Sequence, residues 1–385
     1  MSADLRKTLK DLLKVQLDQG LLMSVYLDAS PDAKGQRHHE AFLKKRFSEL
    51  VKHFPPRSPL HGYLQADIGE INRYLNEELE TRTKGVAIFI SQGKKFFTAL
   101  QTVLPFPNTV AVSRLPYIYP LVRMADDYGR YGAIVSDEKR ARLFKVYLGQ
   151  VEEEMVITTD VEAVSAKGYE TKKGRLGHSD ERYRRHLEGQ IAKHAKAVLG
   201  QAVKFFGSKD VDCIILSAEN GVLAAYQALI PSQFKGKLVT TSKLEVKAPG
   251  KKILDETLAI YQARENQASL AVAQEAVVLA TGRGGRAVVG TEATLNALQS
   301  GQAETLVIGE TYNDEGWKCG NCLQLGAGGQ VKKCPFCSSD QVARDSDMKE
   351  ELVELAIRQG AKVEFYHGAS ELKKYGGVGA LLRSR

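Results

Sequence analysis

Two short cysteine pairs, Cys319-Gly-Asn-Cys322 and Cys334-Pro-Phe-Cys337, constrain this chain more than any other feature. Each pair leaves two residues between its sulfurs, and 11 residues separate the pairs. A two-residue gap lets one tight turn aim both thiols at one ion, and Gly320 and Pro335 are turn formers. Four thiolates complete a tetrahedral shell around Zn²⁺ and leave no position open for water. The spacing therefore predicts one structural zinc ion, held in a ribbon at about residues 315–342, rather than a catalytic metal. A redox dithiol and a degenerate ribbon that folds without metal are the alternatives; a lone C-x-x-C would favour the first, and two knuckles do not. Between the pairs, "LGAGGQVKK" carries the glycines a hairpin tip needs, so Gly328 and Gly329 have a structural reading and Gln330 starts the return strand.

The remaining cysteine, Cys213 in "VDCIILS", reads as a buried strand residue. The chain has 385 residues, which suits two or three domains, and a formal net charge of +8. That balance favours an anionic partner, nucleic acid ahead of membrane. The N-terminal "MSADLRKTLKDLLKVQL" is an amphipathic helix pattern with charges inside it, not the apolar core of a signal peptide. No run approaches the roughly 18 uncharged residues that a membrane span needs. A cytoplasmic, soluble protein without a membrane partner is expected, and in that compartment clustered cysteines suggest metal rather than disulfides.

Strand and helix signals alternate throughout, which predicts an α/β or α+β chain in three domains. The first, 1–124, opens on a helix. "LLMSVYLDAS", "GVAIFIS" and "KKFFTALQTVL" read as strands, with helices over Glu40–Phe54 and Gln65–Thr81 and a break at "PPRSP". The second, 125–245, pairs "YGAIVS" with "ARLFKVYLG" across a "DEKR" turn. A glycine-rich basic loop follows, then a long helix over Asp180–Phe206 and a β-α-β run through "VDCIILS" to "GKLV". The third, 246–385, holds a helix over Ile253–Leu279 and two strand–helix–strand stretches that flank the cysteines, with Gly301 and Gly360 ending helices. "GRGGR" at 282–286 lacks the spacing of a phosphate loop and reads as a linker. His38, His39 and His367 have no acid or nucleophile at a recognisable spacing.

The most charged stretch lies in the middle segment. From Thr171 to His194 there are seven Lys/Arg against three Asp/Glu. Ser179 suits an N-cap, Asp180 and Glu181 suit the positive helix end, and Leu187, Ile191, His194/Ala195 and Val198 line one apolar face. Arg182, Arg184, Arg185 and Lys193 decorate the rest. An exposed loop from Lys172 to Gly177 running into such a helix can meet RNA phosphates. A solvated helix face after a surface loop accounts for the same composition.

Several stretches together resemble a known family. "ELVELAIRQGAKVEFYHGASELKKYGGVGALLRSR" is similar to the closing segment of archaeo-eukaryotic class-1 release factors and Pelota, and "VVGTEATLNALQSGQAETLVIGE" is similar to a stretch just before it. Archaeal members carry two cysteine pairs after that stretch, as here. "TKGVAIFIS", "YGAIVSDEKRARLFKVYLGQ" and "GHSDERYRRHLEGQIAKHAKAV" line up in order with the first two domains. The chain looks like the bacterial branch, which includes the ribosome hibernation factor Balon.

The resemblance implies a three-domain architecture and a monomer bound to rRNA in the ribosomal A site, with a translational GTPase, EF-Tu in bacteria, as a further partner. It also implies RNA contacts near the peptidyl-transferase centre through Lys172, Lys173, Arg175, Gly177, His178, Arg182, Arg184 and Arg185. The family's catalytic Gly-Gly-Gln belongs in this loop; here Leu176-Gly177-His178 stands in its place, without the flexibility or the amide. Gly328-Gly329-Gln330 has the right letters in the wrong domain. The stop-codon-reading motif is not evident in the first segment. No catalytic residue is therefore expected, and the role implied is hibernation or stalled-ribosome handling. Two alternatives stay open: peptidyl-tRNA hydrolysis with His178 in the glutamine's place, and an RNA-binding protein acting off the ribosome.

Overall fold

A computed structural model of the chain describes residues 5–15, 20–52, 54, 57–159, 178–207, 211–242, 244–282, 284–328 and 331–383. The class is the mixed α/β one that the alternation of signals predicts. The chain forms two compact units, one of residues 1–127 with 264–385 and one of 128–263. Among the described residues, no helix is long and apolar enough to cross a membrane.

The first unit begins with α1 (Leu5–Leu13) and the strand β1 (Leu22–Asp28). Helices α2 (His39–Lys52) and α3 (Pro59–Glu77) follow, then β2 (Gly85–Ser91), β3 (Phe96–Thr102) and β4 (Thr109–Ser113). The antiparallel sheet has the order β3-β2-β1-β4. Met23, Val25 and Leu27 alternate with Ser24 and Tyr26 along β1, so the two faces of the strand bury different sets. One face packs with Val86, Ile88 and Ile90 against Leu43 and Phe47 of α2 and Leu64, Ile71 and Tyr74 of α3. The other seats Tyr26 edge-on against Phe89, Phe106 and Tyr117. Helix α3 starts earlier than the hydrophobic pattern suggests. Ser58 caps it by accepting from the Leu60 N–H, and Pro59 occupies a first-turn position where its missing N–H costs nothing. The proline read as a chain break is a helix start. Helix α4 (Tyr119–Asp127) ends this half.

The second unit is built on β5 (Tyr131–Ser136), β6 (Arg140–Tyr147), β7 (Gln150–Thr158), β8 (Cys213–Ala218) and β9 (Leu238–Thr241), ordered β7-β6-β5-β8-β9. Strands β5 to β7 form an antiparallel meander, and β8 and β9 add in parallel. Helix α5 (His178–Phe206) and helix α6 (Asn220–Ala228) cover one face. The apolar stripe expected on α5 is the one it buries: Ile191, Ala195 and Val198 join Leu199, Ala202 and Phe206 in the core, with Leu187 partly buried at its edge. Gly132 lets the helix approach, since a Cβ there would meet the Phe206 ring at 2.7 Å. On the other face, helix α7 (Gly250–Thr281) contributes Ile253 and Tyr261, whose ring stacks on Tyr131 at 4.9 Å.

The C-terminal end of α7 returns to the first unit. Ala273 and Val277 pack on a sheet of β10 (Ala287–Val289), β11 (Ala303–Gly309), β15 (Lys362–Tyr366) and β16 (Val378–Leu382), ordered β10-β16-β11-β15. Helix α8 (Thr291–Gln299) links β10 to β11, and helix α9 (Met348–Arg358) leads into β15, which lies parallel to β11. Between β11 and α9 the chain makes a separate antiparallel sheet of β12 (Glu315–Cys319), β13 (Leu325–Ala327) and β14 (Val342–Asp347), ordered β13-β12-β14. All four clustered cysteines belong to this excursion.

Candidate metal centre

Strand β12 ends on Cys319, and the chain turns at once. The Cys319 N–H donates to the Gln324 carbonyl (2.9 Å), and the Leu323 N–H donates back to the Cys319 carbonyl (3.0 Å). Fifteen positions later the turn is repeated: the Cys334 N–H donates to Ser339 (2.8 Å), and the Ser338 N–H donates to Cys334 (2.9 Å). In each, the residue after the second cysteine takes the left-handed conformation, Leu323 at φ 61° and Ser338 at φ 59°. That conformation costs a non-glycine residue about 1 kcal/mol or more. Its use at the same place in both turns follows from the need to bring two sulfurs of each turn to one point.

The two turns face each other. The Cys319 and Cys337 sulfurs lie 3.5 Å apart and those of Cys322 and Cys334 3.6 Å apart, and all four lie within 4.8 Å of one another. None is in a disulfide. Arms of about 2.3 Å in a tetrahedron span edges of about 3.8 Å, so these separations fit a four-sulfur shell around one ion. The four cysteines that the spacing singles out are brought together, and they could bind a metal ion. Among the described residues, this is the one group of three or more His, Cys, Asp or Glu side chains close enough to hold one.

The surroundings prepare the sulfurs for that role. The backbone N–H of Ser339, together with the Asn321 amide 3.6 Å from Cys337 Sγ, holds the Cys337 thiol well below the usual thiol range. The Cys322 N–H, 3.5 Å from Cys319 Sγ, lowers Cys319 in the same sense. Cys322 receives such help from the Gln324 N–H, but desolvation and the three neighbouring sulfurs push it up. Four crowded thiolates cannot all ionise without a cation between them, which is the electrostatic reason such a cluster recruits one. Asn321 was not legible as part of the site; nothing in its letter marks it as a donor to a sulfur 16 residues away.

The ribbon beneath is narrow. Trp317 and Gly326 are cross-strand partners on β12 and β13. A Cβ at position 326 would sit 2.2 Å from the Trp317 ring. The indole is buried with Cys319 and Cys334. Gly328, read as part of the hairpin tip, has φ 57° and donates its N–H to Glu315 (3.2 Å). Gly329 and Gln330 lie outside the described residues.

The basic residues of the middle segment are described only in part. Lys172, Lys173, Arg175, Leu176 and Gly177 lie outside the described residues. His178 and Arg182 are on the first turns of α5, with side chains outside the description. Arg184 and Arg185 are exposed on the same helix. Arg184 Nε is 3.8 Å from Glu188 Oε1 in an open i,i+4 pair that contributes little.

The comparison with protein families falls on this middle segment, whereas the similar solved structures span more of the chain. Residues 116–262 match the family described as bacterial archaeo-eukaryotic release factor family 10. No curated protein matches the sequence. Among solved structures, the chain is similar to an archaeal translation termination factor, aRF1, at 15% identity over 99% of this chain and 97% of that one, with a TM-score of 0.26. It is similar to S. cerevisiae Dom34, a translation termination-like factor interacting with Hbs1, at 12% identity over 77% and 78%, with a TM-score of 0.38. It is also similar to Archaeoglobus fulgidus Pelota, at 13% identity over 80% and 81%, with a TM-score of 0.33. Superposition at these scores is loose, and no site residue is assigned from it.

Proposed function

We propose that this chain, whose residues 116–262 match the bacterial archaeo-eukaryotic release factor family, belongs to the bacterial branch of the release-factor/Pelota superfamily and is a ribosome-associated translation factor without hydrolytic chemistry of its own. One observation carries the reading: the family match spans the basic stretch and the helix α5 that follows it. On this reading the chain occupies the A site in the cytoplasm as a monomer organised in the segments 1–124, 125–245 and 246–385. Lys172, Lys173 and Arg175 meet rRNA phosphates near the peptidyl-transferase centre, with Gly177, His178, Arg182, Arg184 and Arg185 beside them. Leu176-Gly177-His178 offers neither two glycines nor a glutamine amide to orient a water at an ester, so the bound state protects or marks a ribosome and does not release a peptide. EF-Tu or another translational GTPase is the delivery partner in the same proposal.

The four-cysteine centre holds Zn²⁺ in this reading. A closed sulfur shell leaves no site for substrate or water, so Cys319, Cys322, Cys334 and Cys337 serve the ribbon's fold and carry no step.

Ribosome pelleting from starved cells tests the proposal. The factor is expected in the ribosomal pellet, and a Lys172→Ala/Lys173→Ala/Arg175→Ala variant is expected to leave it as salt rises. A chain that stays in the soluble fraction overturns the ribosomal role. Peptide release from stalled ribosomes that falls in His178→Ala overturns the non-hydrolytic part alone.

A further inference from the structure

The two cysteine turns are backbone repeats, and that equivalence isolates one side chain. Position for position, Gly320 corresponds to Pro335 and Asn321 to Phe336, between the same pair of hydrogen bonds and before the same left-handed residue. In the first turn this position serves the centre, because the Asn321 amide lies 3.6 Å from Cys337 Sγ. In the second turn it is Phe336, and it is 67% exposed, more than any other large hydrophobic residue among those described. The fold does not use this ring: the buried cluster under the sulfurs is made by Trp317, Cys319 and Cys334, with Val331, Cys337 and Val342 at its edge. On a turn fixed by two backbone hydrogen bonds and by Pro335, this exposed ring is held in place for a partner to stack on.

The charge around it narrows what that is. Lys332 and Lys333 immediately precede Cys334, are exposed, and have no ion pair among the described residues. The turn therefore presents an exposed aromatic ring with two exposed lysines three and four residues before it in the chain. A protein partner would need only the ring; an unpaired nucleotide uses both, the base stacking on the ring and the flanking phosphates meeting the ammonium groups.

We propose that the Phe336 turn is a single-stranded RNA contact, in which Phe336 stacks on one unpaired base and Lys332 and Lys333 hold the adjoining phosphates. This contact is separate from the middle-segment loop and does not depend on the ribosomal reading of it.

The test is fluorescence anisotropy of a labelled 12-nucleotide single-stranded RNA of mixed sequence, and of the same strand in a duplex, with the full chain loaded with zinc. Both are measured in the wild type and in the Lys172→Ala/Lys173→Ala/Arg175→Ala background, so that a second RNA anchor does not hide the effect. Phe336→Ala is expected to weaken single-strand binding about tenfold in either background, and Phe336→Tyr to restore it to within about twofold. Lys332→Ala/Lys333→Ala is expected to reduce the slope of log affinity against log salt by about 1.4, the value for two single-strand phosphate contacts. Zinc content and Trp317 fluorescence show that each variant keeps its ribbon. Wild-type failure to bind the single strand overturns the proposal. So does unchanged single-strand affinity in Phe336→Ala, or an equal loss for duplex and single strand. Failure of the ribosome-pelleting experiment leaves this result untouched.

Discussion

His194 has both ring nitrogens engaged inside the second unit. Nδ1 lies 2.7 Å from Thr159 Oγ1 and Nε2 lies 3.3 Å from Ser136 Oγ, which also accepts from the Tyr226 hydroxyl at 2.8 Å. Burial holds this imidazole below its usual range, because charging it would strand a cation in the core. The unfolded chain, with an ordinary value of about 6.5, then binds the proton more readily. The contribution is fully present above pH 6.5 and is lost as pH falls through the lower folded value. His39, lowered by the same cause, acts in the same direction. Asp67, pushed up to about 6 by burial, acts in the opposite one, so the comparison with a variant is what isolates His194. Urea unfolding at pH 8, 6.5 and 5 should show wild type losing more stability than His194→Gln, which starts lower; parallel losses would mean that His194 does not titrate. The apolar face of α5 placed His194 beside Ala195 in the sequence. Its partners come from β5 and from residue 159, and no local pattern announces them.

Strand β7 shows what element-level reading misses. "QVEEEMVIT" has three consecutive glutamates, which are poor strand formers. Cross-strand charge supplies the reason for the strand: Glu152 pairs with Arg130, Glu153 with Lys145 and Glu154 with Arg142. Those cations sit on other strands or loops, so the pairing is invisible until register is known. The ribbon is the contrary case. Its cysteines were legible because the ligand spacing is itself a local constraint; the Trp317–Gly326 contact was not, since it depends on how β12 and β13 align. That contact yields a prediction. Gly326→Ala puts a methyl group into the buried indole and should destabilise the ribbon by about 1–3 kcal/mol. Trp317 is the only tryptophan, so its fluorescence reports the ribbon alone. In Gly326→Ala the emission should shift red at a lower urea concentration, and a chromophoric chelator should strip the metal faster. Gly62→Ala on α3, with nothing within 4 Å, should change neither. A wild-type transition in Gly326→Ala would mean that the indole is free to move aside.

At the scale of the molecule, alternation of helix and strand conveyed the mixed α/β class, but not which distant stretches form one unit. Residues 1–127 and 264–385 are joined by pairs far apart in sequence: Tyr117 with Glu350, Arg123 with His367 at 2.8 Å, and Arg358 with the Leu13 carbonyl at 3.4 Å. The four-cysteine cluster lies within this unit, in an excursion between β11 and α9, while the family match rests mainly on the other unit. Metal should therefore stabilise locally. The three-stranded ribbon buries little besides Trp317, Cys319 and Cys334, and a cluster that small does not offset the ordering of some 30 residues without a cross-link or an ion. Native mass spectrometry should find one zinc per chain, lost in Cys334→Ser and after chelation. Hydrogen exchange should then rise across 315–347. The parallel pairings of β11 with β15 and of β5 with β8 should keep their protection, because neither sheet uses a sulfur ligand. Exchange that rises throughout the first unit would show that the ribbon is part of that unit's cooperative core, and unchanged exchange at 315–347 would show that the four sulfurs fold without an ion.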